Sequence, residues 1–533
     1  MRHFTGNPFV DAGMAGMCAA ADVEGPEQLD LAAIHKAVET LFAVLLSESA
    51  FIEKPPYKAF ATSRMAMIFP NSPLPQASFS TPEQKREKYR ERIQSLLDKI
   101  DKPGDATDAL CFVCGQPANV KVGIDWFPLV GSVGLLNFHP MLEPGHAVCA
   151  FCALCVQFLP FSLMQTKAEG GRLWFVHSSE AALAVRIAKD YGLSHLQTLV
   201  AAGEPLRFWG NWAGTGERAA VVSLLYELGR RHARLLEQST YPVTAFLFSN
   251  DNREQFLDYI HVSHRLMVFF NSLQVYPEAR ERFEQELLRS NFANALALNM
   301  LEERPLMAQC LTNEGRLLGG WTFHRLYAQE VLQVNEIYLR TVEEVAQRLV
   351  ASEDSKKRVD ALRLADRRSV FGTLLDLVRD GLMTRQELYW LVPPGGGDEA
   401  SKARDYLLAA SFALQNGEVL DETEPAQPPS CEHPLVERIE RLGETVASDM
   451  DVAKSLMVDL QTAQQPRQIR RAFMRLIARN RLGWRDFIFF CPPDSDQMHY
   501  QSRDYWLAFL YDQSPKQTDA LQAEDEIATN ENA

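Results

Sequence analysis

The chain has 533 residues, a formal net charge of −15, 46% hydrophobic residues and 23% charged residues. This is the make-up of a globular protein of about two to four domains, and its acidity excludes nucleic-acid binding by the surface at large while leaving room for a local basic patch. The N-terminus lacks the apolar core of a secretory signal, and the uncharged run 147–164 holds cysteines and Pro160, so a buried segment, no membrane span and a cytoplasmic location are expected.

In chain order, Gly6-Asn7-Pro8 is turn chemistry, and Asn7 or Asp11 is placed to cap an apolar helix over Met14 to Ala21. Apolar residues at Leu29, Leu31, Ile34, Val38, Leu41, Phe42 and Leu45 predict a helix over 29–50. Met65 to Phe69 reads as a short buried strand, followed by a proline-rich loop over 70–75. Alternating Glu, Lys and Arg predict a solvated helix over 82–101. Gly131 and Gly134, followed by 135–139, suggest a projecting hairpin. They are not a phosphate loop, because no Gly-Lys-Ser/Thr follows.

Strands are expected over 172–177 and 242–249, and helices from after 177 through Ala188 and over 221–236. Residues 260–270 fit strand or helix. Beyond these, helical periodicity dominates, near 280–300, 324–352, 354–380, 384–391, 399–416, 434–462 and 465–480. Loops are expected at 393–397 and 422–430, and a disordered acidic tail from Ser514. The fold expected is an α+β N-terminal portion with an embedded Cys₄ zinc knuckle, followed by an all-α C-terminal helical bundle. The corresponding domains are 1–345, with the knuckle at 111–155, then 346–513 and the tail 514–533.

Five of the nine cysteines lie between Cys111 and Cys155. Cys111-Phe-Val-Cys-Gly and Cys149-Ala-Phe-Cys152 form two C-x-x-C pairs with 34 residues between them. Four thiolates in this arrangement make a closed tetrahedral site for structural Zn²⁺, with no position open for catalytic water. Disulfides do not suit a chain of this class. A buried helical stripe explains Cys149, Cys152 and Cys155 but not the first pair. Cys155 competes with Cys152 as fourth ligand.

No Gly-x-Ser-x-Gly, His-Glu-x-x-His or phosphate loop is present, which favours a binding subunit over an enzyme. Residues 467–485 hold seven arginines and no acid. Arg467, Arg471, Arg475 and Arg479 recur at i+4 and form a helical stripe, with Ile469, Phe473, Leu476 and Ile477 opposite. Such a stripe either tracks phosphates without reading sequence or pairs with glutamates elsewhere in the acidic chain. Lys356, Lys357, Arg358, Arg363, Arg367 and Arg368 make a weaker cluster that reads as a solvated face.

Thr5-Gly-Asn-Pro-Phe-Val-Asp-Ala-Gly13, Phe69-Pro-Asn-Ser-Pro73, the two cysteine pairs, Leu136-Asn-Phe-His-Pro140, Phe248-Ser-Asn250 and the arginine helix together resemble the large subunit of type I CRISPR Cascade complexes, in the zinc-knuckle branch associated with subtype I-B. The resemblance implies a non-enzymatic subunit that recognises a protospacer-adjacent motif on double-stranded DNA. It would support duplex opening, hold the displaced strand, and dock a helicase-nuclease or transposition proteins. Its partners would be crRNA and the Cascade backbone and small subunits, with guide pairing reading the target sequence. Candidate motif readers are Asn7, Asn71, Ser72 and Asn137, short polar side chains able to meet base edges. Met383 is a candidate internal start for a separate small subunit. The alternatives are a free-standing zinc-knuckle nucleic-acid-binding regulator and a metal-dependent hydrolase.

Overall fold

Helix α1, Pro8–Ala21, is built of small and apolar residues and is buried from Phe9 onward. A helix apolar on every side has to be enclosed on every side. In the computed structural model it is the central element of the first of two units, Met1–Arg304 and Pro305–Ala533. The structure describes residues 2–55, 57–102, 109–130, 145–166, 172–210, 216–238, 243–250, 255–290, 292–394, 398–420, 433–493 and 495–513. The expected hairpin at 131–139 with Asn137, the loops at 395–397 and 422–430, and the tail from Ser514 lie outside these residues.

Helix α1 starts earlier than Met14 because Asn7 caps it. The Phe9 and Val10 amides donate to Asn7 Oδ1 at 3.1 and 3.2 Å. Asp11 reaches back instead. It accepts from the Thr5 amide (2.6 Å), the Thr5 hydroxyl (2.8 Å) and the Gly6 amide (2.9 Å), and pairs with His177 Nε2 at 3.2 Å. Around α1 pack α2 (Leu31–Leu45), α3 (Pro82–Asp101) behind α4 (Ala150–Gln157), and an antiparallel sheet. The sheet order is β3 (Met164–Gln165), β4 (Leu173–His177), β5 (Val243–Asn250), β6 (Gln255–Val262). Phe9 meets the sheet through Phe175 and Phe248, with ring centroids 5.3 and 5.1 Å away.

Glycine lets α1 and α4 touch backbone to backbone. A β-carbon on Gly13 would lie 2.1 Å from the Cys155 carbonyl oxygen, and one on Gly16 2.5 Å from that of Phe158. The segment read as a strand at Met65 to Phe69 is helical. It is a π turn, Phe60–Arg64, running into a 3₁₀ turn, Met65–Met67. A short apolar run fits either state, and here enclosure rather than pairing satisfies it. The ambiguous 260–270 stretch is both: β6 ends at Val262, Ser263 caps, and a helix runs His264–Leu273.

Among its described residues the second unit is helical apart from turns and one isolated bridge, Leu311 with Leu317. Three of the long helices expected from periodicity are helix pairs: Gly320–Glu330 with Glu336–Ala351, Ser355–Leu364 with Val370–Arg379, and Pro434–Ala447 with Met450–Thr462. Asn335 and Asp449 cap the second members of two of them, their side chains accepting from Ile337 and Val452 amides. The helix Glu336–Ala351, which crosses the expected 345/346 boundary, packs along Glu399–Gln415 within this unit. Among the described residues no helix is long and apolar enough to cross a membrane.

Candidate metal centre and basic helix

The first cysteine pair sits in a tight loop held by its own backbone. The Cys111 amide donates to the Gln116 carbonyl at 2.7 Å, and the Gly115 amide to the Cys111 carbonyl at 2.9 Å. Gly115 has φ +72°, a left-handed conformation that glycine takes without strain. The second pair lies where a strand becomes a helix. Strand β2, His146–Val148, pairs with β1, Val120–Val122, then Cys149 is the N-cap of α4. The Cys152 amide points at Cys149 Sγ, 3.4 Å away.

Two cross-links bring the pairs together. The Phe112 amide donates to the Ala147 carbonyl at 3.1 Å. Asn119 bridges as well: its amide donates to Val148 O (3.2 Å) and its Oδ1 accepts from the Ala150 amide (2.8 Å). Asn119 carries no sequence signal of this role, since it belongs to neither C-x-x-C pair.

The sulfurs of Cys111, Cys114, Cys149 and Cys152 all lie within 4.8 Å of one another. Cys114 and Cys149 are 3.7 Å apart. A tetrahedron with metal–sulfur bonds of about 2.3 Å has edges of about 3.8 Å, whereas a disulfide needs about 2.05 Å. The described cysteines are all free thiols. The donor set therefore fits a metal ion.

Its electrostatics agree. Cys111 is driven far below the ordinary thiol range, because Cys149 and then Cys152 donate hydrogen bonds to its sulfur. Cys149 is pushed up to about 12 and Cys152 is also raised, in each case first through that bond to Cys111. A cation at the centre of such crowded sulfurs would let them ionise together.

Cys155 takes no part. It lies six residues along the chain from Cys149, is fully buried against α1, and burial raises its thiol well above the usual range. The competition between Cys152 and Cys155 ends with Cys152 in the cluster. His146 lies on β2 with its ring 5.3 Å from Phe112, and His177 is engaged by Asp11, so neither joins the sulfurs.

The nominated motif readers fall in different settings. Asn7 is half-buried and its acceptor oxygen is occupied as the helix cap. Ser72 is buried, with its hydroxyl unpartnered, and does not face solvent. Asn71 stands exposed beside it.

The arginine helix, Pro466–Ala478, buries Ile469, Ala472, Phe473 and Leu476, and Phe473 stacks on Phe490 at 5.6 Å. Ile477 is only partly covered. Arg467, Arg471, Arg475 and Arg479 are all exposed. Arg475 pairs with Asp459 at 2.5 Å and Arg481 with Asp449 at 2.8 Å. Among the described residues Arg467, Arg470, Arg471, Arg479 and Arg485 have no carboxylate partner. The other basic cluster differs, since Arg358, Arg363 and Arg367 pair with Asp380, Asp360 and Asp398. No protein-family model, no curated protein and no solved structure matches this chain.

Proposed function

We propose that the chain is the non-catalytic large subunit of a crRNA-guided type I CRISPR Cascade complex, with a structural zinc ion held by Cys111, Cys114, Cys149 and Cys152. In this reading it recognises a protospacer-adjacent motif on duplex DNA, supports R-loop formation, and docks a helicase-nuclease or transposition proteins. The observation that supports it most is the convergence of the short motifs behind the resemblance. Phe9 of the first motif packs on Phe248 of another. Asn250 of that motif donates to the Ile68 carbonyl at 2.7 Å, next to Phe69-Pro-Asn-Ser-Pro73, and accepts from the Leu129 amide at 3.1 Å. Gly13 abuts the helix of the second cysteine pair. Segments far apart in sequence thus form one contact network, as parts of a single family architecture would.

Four soft thiolate donors in a closed set suit zinc, which would act as a cross-link and supply no reaction chemistry. The exposed arginines supply the sequence-independent phosphate contacts that such a subunit needs, while guide pairing reads the target. Of the nominated readers within the described residues, Asn71 has the exposure for base contact.

The test is purification of the tagged full-length chain from cells expressing its neighbouring genes. Co-purification of a short guide RNA and repeated backbone subunits, with duplex binding that depends on an adjacent motif, is expected. Recovery of the chain without guide RNA or backbone subunits would replace this reading with a free-standing zinc-knuckle regulator. Metal analysis is expected to find one zinc ion per chain.

A further inference from the structure

The basic surface continues past the arginine helix. The next helix, Trp484–Phe490, places Trp484 in solvent at 60% exposure and Ile488 at 56%, and Met474 of the arginine helix is 48% exposed. Trp484 meets Phe487 edge-on with ring centroids 5.6 Å apart. The Arg470 guanidinium lies 6.0 Å from the Phe487 ring centroid. A chain of contacts therefore runs from the exposed indole through Phe487 to Arg470. At roughly 100° per residue, Arg470, Met474, Arg467 and Arg471 fall within about 100° of one side of their helix.

Acids beside this patch are already paired, Asp459 with Arg475 among them. The nearest acid in sequence, Asp486, is held by Arg438 at 3.0 Å and Arg441 at 3.2 Å. Arg467, Arg470, Arg471 and Arg485 have no carboxylate partner among the described residues. Contact with a duplex backbone calls only for charge, because base faces are stacked inside the helix and give an indole nothing to cover. Unpaired bases do offer a free face, and a basic groove with an aromatic platform is the usual way to hold them.

We propose that Trp484 stacks on an unpaired nucleobase of a single strand whose phosphates are held by Arg467, Arg470 and Arg471. The patch is then a single-strand site and not a duplex-backbone site. This rests on the reading of the chain as nucleic-acid-binding.

The test uses the full-length chain with three fluorescein-labelled probes: a short oligothymidylate, an oligouridylate and a duplex of equal length. Trp484→Ala is expected to weaken oligothymidylate binding about tenfold and leave duplex binding within about twofold. Trp484→Phe should recover most of the loss. An equal loss on oligouridylate supports a stack indifferent to the sugar, and a loss on oligothymidylate alone supports one confined to DNA. Equal weakening of single strand and duplex overturns the proposal. So does an unchanged Trp484→Ala beside an Arg467→Ala Arg471→Ala variant that no longer binds, which keeps the nucleic-acid reading and removes the stack. Absence of binding by the wild-type chain to every probe removes both.

Discussion

The cysteine centre and the arginine helix hold their shapes by opposite means. The centre is framed by two three-residue strands and a tight loop, elements too short to be stable in isolation. Its functional atoms point inward and are themselves what joins the pieces. The arginine helix is joined to its unit by its apolar side, and its functional atoms point outward. Truncating a functional side chain should therefore unfold the first region and leave the second standing.

The largest effect is expected from Cys111→Ser with Cys149→Ser. Structural zinc contributes an apparent ~10–16 kcal/mol in small knuckles, so the double variant should be insoluble or unfolded and free of metal. Well-folded protein with no metal would break the comparison at its root. Next comes Phe473→Ala, which empties a site beside Phe490 and Trp506 and should cost about 3–5 kcal/mol in thermal unfolding with metal content unchanged.

Acid should act on the second unit through His324. It is enclosed, its Nε2 hydrogen-bonds the Leu318 carbonyl at 2.9 Å, and burial lowers its pKa from 6.5 to about 4. The unfolded chain then binds the proton first. Stability from this group is complete above about 6.5 and is lost as pH falls toward about 4, by roughly 3 kcal/mol. Denaturant titrations at neutral and at mildly acid pH check this, and His324→Gln should flatten the difference. The smallest effect on stability belongs to Arg471→Ala with Arg475→Ala. The Arg475 side chain is 58% exposed, so its ion pair with Asp459 is worth no more than about 1 kcal/mol. Binding should weaken alike for all DNA sequences, with the salt slope reduced by about one through the loss of Arg471. A loss confined to one target motif would make the stripe a base reader.

The division between α+β and all-α portions was legible in the sequence, and so was the cysteine centre, because both rest on local spacing. C-x-x-C-Gly encodes its own turn, and the i+4 arginines encode their own face. What escaped depends on distant partners. Met65 to Phe69 has a strand's composition and a helical backbone, because Asn250 and the surrounding core satisfy it from outside. Asn7 has a base reader's chemistry, yet its oxygen serves the helix it precedes. Ser72 is polar in a proline-rich loop and is nonetheless enclosed. The breaks near Asn335 and Asp449 are caps inside an unbroken apolar rhythm, which periodicity alone runs through.

Strand β2 ends at Val148, Cys149 caps, and α4 begins at Ala150, with no spacer between them. One residue inserted here would flip the strand's faces or turn the helix by about 100°, and either would carry a sulfur out of reach. The few residues leading from β2 into α4 should therefore tolerate no change of length.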